Sequence, residues 1–256
     1  MSKKSGLPLG IDVGGSGIKG ASVDLKKGGF AGKRKRIDTP AKSTPEAVGD
    51  IIGQIVDHFD EVRGDSPIGI TVPGVVTKGV VRSAANIDKS WLDFEAETML
   101  EEKLGHDVVL VNDADAAGVA ELHYGAAKGQ QGLVILTTLG TGIGTALIHN
   151  GVLIPNSELG HLELDGHDAE KRAASSIKDT EGLTYPEWAE RLQRYYSHLE
   201  NLLWPDLFVV GGGVSKDSDE FLPLLKLRTP IVPAQLENKA GIIGAAHLAQ
   251  EYHDSL

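Results

Sequence analysis

The sequence predicts a two-lobed α/β protein in which a βββαβα unit occurs twice. Three observations carry this. Gly15-Ser16-Gly17-Ile18 and Gly140-Thr141-Gly142-Ile143 share the pattern G-[ST]-G-I. Each lies between two segments of strand-like apolar patterning, so the chain restarts near its middle. At 256 residues with 41% hydrophobic content, it has enough apolar surface for one large domain or two smaller lobes. The first lobe is expected over residues 1–113, with a C-terminal helix at about 244–256 packing back on it. The second lobe is expected over 114–243, with a ligand cleft between the two.

The first lobe opens with three short strands, LPLGIDVG, IKGASVDL and KRKRID, separated by Gly-rich turns. Thr44 then caps a helix with Pro45 at its first position. Val48, Ile51, Ile52, Ile55, Val56 and Phe59 recur along it at helical spacing. SPIGITVPG reads as a buried strand ending in a Pro-Gly turn. A helix is predicted near 91–104, then the buried strand DVVLVND, then a short helix over 114–124. In the second lobe, GLVILTTLG and GIGTALIHNG are strands joined across Gly-Thr-Gly. Thr184 and Glu187 have capping-box spacing ahead of a long helix, with Trp188, Leu192, Tyr195, Leu199 and Leu202 on one side. LFVVGGG is a strand running into glycines, and AGIIGAAHLAQEYH is an apolar closing helix.

The formal net charge of −11 argues against a nucleic-acid partner, which needs a net basic face. The charge is uneven, however, and KKGGFAGKRKR at 26–36 is strongly basic. There are 0 Cys, which excludes disulfides, thiol nucleophiles and Cys zinc sites. The sequence shows no secretion signal and no apolar run long enough for a bilayer. The expected location is the cytoplasm, with no membrane partner.

Gly15–Gly20 also matches GxGxxG, the dinucleotide fingerprint. That fingerprint needs a helix after the glycines to hold a pyrophosphate. Here Ala-Ser-Val-Asp-Leu and then Lys-Lys-Gly-Gly follow, which is a strand and a turn. The Walker pattern is absent too. What remains is a glycine hairpin preceded by Asp12. Such a hairpin can aim successive backbone N–H groups at phosphate oxygens, and Asp12 can hold Mg²⁺ directly or through water. The plainer alternative is an ordinary turn with a turn carboxylate. A second glycine hairpin, one per lobe, favours a phosphate clamp.

LGIDVGGSGIKGASVDL, VNDADAAGVAELHYG, LTTLGTGIGTALIHNG and ELGH, in that order, resemble the ROK family of sugar kinases, and the likeness runs from Leu9 to the final helix. It implies the actin-like, hexokinase-like ATPase fold. TTLGTGIGTALIHNG, ELGHLELDGHDAE and LFVVGGGVSK, with LRTPIVPA after them, are most similar to the branch of the family that uses inorganic polyphosphate. The implied reaction moves a terminal phosphoryl group from polyphosphate or ATP to the 6-hydroxyl of glucose, with mannose as a further acceptor.

On the residues alone, Asp113 is either a proton acceptor at a strand tip or a helix N-cap, a role open to Asp115 as well. The resemblance implies that Asp113 is the catalytic base, and that Asn86, Asn112, Asp113, Glu158, His161 and Glu170 bind the sugar, with GITVPG lining its pocket. Glu158 and His161 also have a metal-like spacing, but the motif offers no third ligand. Many ROK proteins carry a Cys-rich zinc element after this Gly-His. Here HLELDGHDAEKRAASS replaces it, so zinc is not expected and Mg²⁺ is the implied ion, held by Asp12.

The expected phosphate-binding residues are Asp12, Gly14, Gly15, Ser16, Gly17 and Lys19 in one hairpin, and Thr138, Gly140, Thr141 and Gly142 in the other. Gly211, Gly212, Gly213 and Lys216 form the donor or nucleotide region. A polyphosphate track follows either Lys26, Lys27, Lys33, Arg34, Lys35 and Arg36 or the Lys216 and Arg228 side. Three rivals remain. One is an ATP-only kinase for fructose or an N-acetylhexosamine. Another is a non-catalytic sugar-binding regulator, which has no use for Asp113. The third is a family repressor, which needs a helix-turn-helix ahead of the first glycine loop; that loop begins almost at residue 9, so this rival is not expected. Monomer and homodimer are both compatible with the residues.

Overall fold

A computed structural model describes residues 6–84 and 87–256. The chain divides into two compact units, the first running to Ala120 and including Lys239–Leu256, the second spanning Glu121–Asn238. The division falls inside a helix, past the expected position at 113.

Unit 1 is built on a six-stranded sheet. Strands β1 (Leu9–Val13) and β2 (Ile18–Asp24) form an antiparallel hairpin around the first glycine loop. Two short strands, β3 (Gly29–Phe30) and β4 (Lys35–Ile37), pair with β2. Helix α1 (Pro45–Arg63) starts where Thr44 accepts the Ala47 N–H, and it buries Val48, Ile52, Ile55, Val56 and Phe59. Strand β5 (Ile68–Val72) is buried throughout and runs parallel to β1, as a strand covered on both faces should. The small sheet β6 (Val76–Thr77), β7 (Val80–Val81) and β8 (Phe94–Glu95) comes next. Helix α2 (Ala96–Leu104), β9 (Val108–Asn112) and α3 (Asp113–Tyr124) follow, with β9 parallel to β5.

The helix predicted near 91–104 begins only at Ala96. Before it, Trp91 is fully buried and donates its indole N–H to the Ser43 carbonyl at 2.7 Å. Asp93, at φ 57°, then reverses the chain into β8. Anchoring the indole holds this stretch out of the helix.

Unit 2 repeats the plan, with its main sheet ordered β12-β11-β10-β15-β16. Strands β10 (Leu133–Leu139) and β11 (Ile143–His149) flank the second glycine loop as an antiparallel pair, and β12 (Val152–Ile154) extends it. A 3₁₀ turn at Leu159–His161, a small hairpin of β13 (Glu163–Leu164) and β14 (His167–Asp168), and helices α4 (Glu170–Ala173) and α5 (Ser175–Glu181) come before α6 (Tyr185–Leu203). Strands β15 (Leu207–Gly211) and β16 (Ile231–Pro233) complete the sheet in parallel with β10. The Thr184–Glu187 capping box forms as predicted. Leu202 departs from its predicted buried face and is 57% exposed, while Leu203 packs on the core instead. A straight helix drifts about 20° per heptad, so the stripe starting at Trp188 has rotated by the last turn.

Within unit 1, the C-terminal helix (Ala240–Asp254) packs on β1, β5 and β9. The approach is close enough that a Cβ on Gly69 would lie 1.9 Å from the Ala245 carbonyl oxygen, and one on Gly244 would lie 1.7 Å from that of Ala116. Among the described residues, no helix is long and apolar enough to cross a membrane.

Gly244→Ala must force the C-terminal helix away from α3, so it is expected to cost roughly 2–3 kcal/mol of stability. The shift in urea midpoint at unchanged slope measures this.

Candidate active site

In unit 1, the first glycine loop is pinned from outside and open at its tip. Gly14 donates its N–H to the Gly17 carbonyl at 3.3 Å, closing the turn. Thr39 donates its hydroxyl to the Gly14 carbonyl, and Arg36 donates from Nη2 to the Ser16 carbonyl at 2.8 Å. Gly15 and Ser16 are exposed. The strand before the loop delivers Asp12, whose Oδ1 accepts the Thr71 hydroxyl at 3.1 Å and whose Oδ2 lies 3.6 Å from Lys19 Nζ. The carboxylate is 23% exposed, with one oxygen facing an ammonium. A single carboxylate of this kind suits Mg²⁺, which keeps several waters and takes its other ligands from substrate phosphates.

The tip of β9 resolves the choice of helix cap. Asn112, 7% exposed, accepts the N–H groups of Ala114 at 2.8 Å and Asp115 at 3.1 Å, and donates to the Gly74 carbonyl at 3.1 Å. Asn112 is therefore the N-cap of α3, and it ties that cap to the turn of the GITVPG segment. Asp113 is half-buried at the helix start, with one oxygen accepting the Ala114 N–H at 2.8 Å. With its carbonyl oxygen and one amide hydrogen committed, Asn112 keeps a single N–H for a ligand. Asn86 lies outside the described residues.

In unit 2, the second loop and the ELGH segment share a support. Gly140 donates its N–H to the Gly142 carbonyl at 3.0 Å, while Thr141 is exposed. Ser175 and Ser176 donate hydroxyls to the Gly140 and Thr141 carbonyls at 3.1 and 2.7 Å. The Ile143 N–H goes to Glu170 Oε2 at 3.1 Å. A Cβ on Gly160 would sit 2.1 Å from the Ile143 carbonyl, so only glycine lets the ELGH turn lie this close. Thr145 holds the turn's other end, accepting the Leu159 N–H at 3.1 Å. His161 lies in a 3₁₀ turn.

Glu158, His161, Asp168 and Glu170 converge. His161 Nε2 is 3.6 Å from Glu158 Oε2, and its Nδ1 is 3.2 Å from Asp168 Oδ2 and 3.8 Å from Glu170 Oε1. Partial burial pulls the His161 pKa down, but the hydrogen bond to Asp168 and the surrounding carboxylates leave it raised. Burial raises the Glu158 pKa; His161 opposes this and Glu170 adds to it. Donor atoms of His161, Asp168 and Glu170 lie within 4.8 Å of one another. This group takes only His161 from the ELGH motif, joined by Asp168 from β14 and Glu170 from α4, and does not include Glu158.

Gly211 pairs with Thr138 across the parallel strands β15 and β10, so the GGG segment adjoins the second loop. It runs into a 3₁₀ helix at Gly213–Glu220 with a kink at Asp217. Lys216 is exposed there. Arg228 is committed elsewhere: to Glu200 at 3.2 Å, to Asn201 at 3.1 Å and over the Trp204 ring at 4.0 Å. Of the basic 26–36 run, Lys27 pairs with Asp24, and Arg36 reaches the glycine loop. Sequence reasoning missed Asp168, Ser175 and Ser176, and it named Thr71 only as part of GITVPG. Their spacing to the motifs carries no signal, because separate elements bring them in. A cavity of roughly 320 Å³ between the β13–β14 hairpin and α6 is lined by Arg172, Arg191 and Arg194. Those arginines bond His167, Glu181 and Asp165, respectively.

A sheet plan used twice, with a glycine hairpin between the first two strands of each copy, defines the hexokinase-like and actin-like class of phosphotransferase folds. The chain belongs to the ROK family, whose pattern matches residues 8–177. It is 56% identical to the polyphosphate glucokinase of Mycobacterium tuberculosis over 93% of this chain and 89% of that protein. Among solved structures, it resembles the inorganic polyphosphate/ATP-glucomannokinase of Arthrobacter sp. strain KM, with a TM-score of 0.93, 52% identity and coverage of 96% and 100% of the two chains. A ROK family glucokinase from Streptomyces griseus, solved with glucose and AMPPNP, gives a TM-score of 0.79 at 26% identity, covering 96% and 100%.

The raised Glu158 pKa makes this carboxylate a stability cost once it ionises. Its favourable contribution is present below the ordinary glutamate range and is lost as pH rises through its folded-state value. Glu158→Gln is therefore expected to stabilise the ligand-free protein at pH 7–8, with the gain vanishing toward pH 4. Thermal melts across that range check the sign.

Proposed function

We propose that the protein transfers the terminal phosphoryl group of inorganic polyphosphate to the 6-hydroxyl of glucose, giving glucose 6-phosphate, and that ATP serves as a second donor at the same terminal-phosphate site. The observation that carries this is 56% identity to a polyphosphate glucokinase over 93% of the chain. The paired glycine hairpins and the strand-tip carboxylate support it. Mannose is a further acceptor, in keeping with the glucomannokinase likeness. A cytoplasmic location suits a chain with 0 Cys.

In this reading, Glu158, His161 and Glu170 hold hexose hydroxyls. Asp113 accepts the proton of the 6-hydroxyl as its oxygen bonds to the terminal phosphorus and the bridging P–O bond to the rest of the donor breaks. N–H groups at the exposed tips of the two loops, Gly15–Ser16 and Thr141, with the Thr141 hydroxyl, receive phosphate oxygens. Asp12 would hold Mg²⁺, which supplies neutralisation of phosphate charge when bound. Arg36, whose Nη2 is braced on the Ser16 carbonyl while Nη1 pairs with Asp38, lies against the first loop and starts the polyphosphate track.

Purified protein with glucose, Mg²⁺ and ATP-free polyphosphate is expected to make glucose 6-phosphate, with ATP acting as a competitive inhibitor of polyphosphate use. Donors that do not compete would refute the shared site. Asp113→Asn is expected to keep its fold and its calorimetric glucose binding while turnover falls about 10²–10⁴-fold. Activity within a few-fold of the parent would exclude Asp113 as base. Arg36→Ala is expected to raise the KM for polyphosphate about tenfold, the loss of one charge-assisted contact, and to move the KM for glucose little.

A further inference from the structure

The hexose roles proposed above leave one contact of the Glu158–Glu170 segment without a purpose. His161 turns Nδ1 inward to Asp168 Oδ2 at 3.2 Å, with Glu170 Oε1 at 3.8 Å behind it. Nε2 faces Glu158 at 3.6 Å. Asp168 is the more sheltered partner, its side chain 25% exposed against 44% for His161. Its backbone is fixed by pairing with Glu163 across the β13–β14 hairpin. Lys171 Nζ, at 4.0 Å, adds positive charge beside its carboxylate.

An imidazole has two different nitrogens, and the partner of one decides what the other offers. A carboxylate at Nδ1 requires a proton there, whether the ring is neutral or charged. We propose that Asp168 is a positioning residue for the hexose site: by accepting the Nδ1–H of His161 it fixes the ring plane and leaves Nε2, beside Glu158, as the nitrogen that meets a hexose hydroxyl. Without Asp168 the ring is free to turn, and an Nε2–H can bond Glu158, so that the two hexose ligands occupy each other. The proposal rests on the reading of His161 as a hexose ligand.

The test is a mutant cycle of Asp168→Ala, His161→Ala and the double variant, with Asp168→Asn as the conservative control. Glucose KM, polyphosphate KM, kcat and urea midpoints are measured for each, together with the imidazole ¹⁵N shifts. Asp168→Ala is expected to raise glucose KM about tenfold, equivalent to about 1.4 kcal/mol, with polyphosphate KM within about twofold of the parent. The double variant should be no worse than His161→Ala, because Asp168 acts through the ring. Asp168→Asn, whose amide oxygen still accepts the Nδ1–H, should recover part of the loss. The ¹⁵N shifts of His161 should move in Asp168→Ala at an unchanged urea midpoint. If Asp168→Ala does not fold, the Asn variant and its ¹⁵N shifts carry the same test.

An unchanged glucose KM in Asp168→Ala, beside a raised one in His161→Ala, would overturn the proposal. Fully additive losses in the double variant would do the same. So would a stoichiometric metal ion that is released on substituting Asp168, since Nδ1 would then be a ligand rather than a donor. A silent His161→Ala would instead refute the hexose reading from which the proposal starts, so the silent variant shows which idea failed.

Discussion

The chemistry assigned to unit 2 depends on the backbone of one residue, Ile143. Its N–H is taken by Glu170, and its carbonyl is so closely approached by Gly160 that no side chain fits there. Ile143 closes the glycine loop on one side and supports the ELGH turn on the other. The proposed hexose ligands and the proposed phosphate loop are therefore parts of one rigid assembly rather than two loops that happen to be neighbours. Rigid support of this kind is what positioning catalysis needs, because misplacement by about 1 Å can cost 10²-fold in rate. Ser175 and Ser176 add to it by fixing loop carbonyls, which leaves the loop's outer N–H groups as its presented surface.

Unit 1 solves the same problem with different residues. Its loop is braced by Thr39 and Arg36, both beyond the β2 strand in sequence, rather than by a following helix. The capping of α3 matters more. A carboxylate at a helix start is usually consumed as the cap. Here the buried Asn112 takes that duty with its amide oxygen and anchors its nitrogen on Gly74. Asp113 is thereby placed at the helix start without serving as the cap.

Local patterns gave away most of the fold. The caps at Thr44 and Thr184, the buried strand Ile68–Val72 and both glycine hairpins were legible because each is set by residues adjacent in sequence. The late start of α2 was not, since it depends on Trp91 reaching the Ser43 carbonyl, a tertiary contact that overrides helical spacing. Within the site, Glu158 and His161 were named from the ELGH motif and Glu170 from the family resemblance. Asp168 escaped because its contact with His161 is made by a two-strand hairpin that composition does not reveal. For Arg228, offered as an alternative track member on its charge alone, the structure adds contacts to Glu200 and to the face of Trp204 that sequence could not show.

These placements bear on how an acidic protein can handle a polyanion. In the proposed reading, backbone N–H groups hold a terminal phosphate without regard to what lies beyond it, so the hairpins would not by themselves distinguish polyphosphate from ATP. Discrimination has to arise further along the donor, where one candidate surface is the exposed basic run ending at Arg36 and the other is the Gly211–Lys216 segment beside Thr138. With Arg228 engaged elsewhere, unit 2 offers Lys216 as the remaining cation of the proposed alternative track. The basic run of unit 1 offers several, and it can act through solvent over about a Debye length, near 8 Å at physiological salt. The whole chain is acidic, at a net −11 with that basic run included, and the acidic remainder would then restrict long polyanions to that one stretch, making electrostatic repulsion part of the specificity.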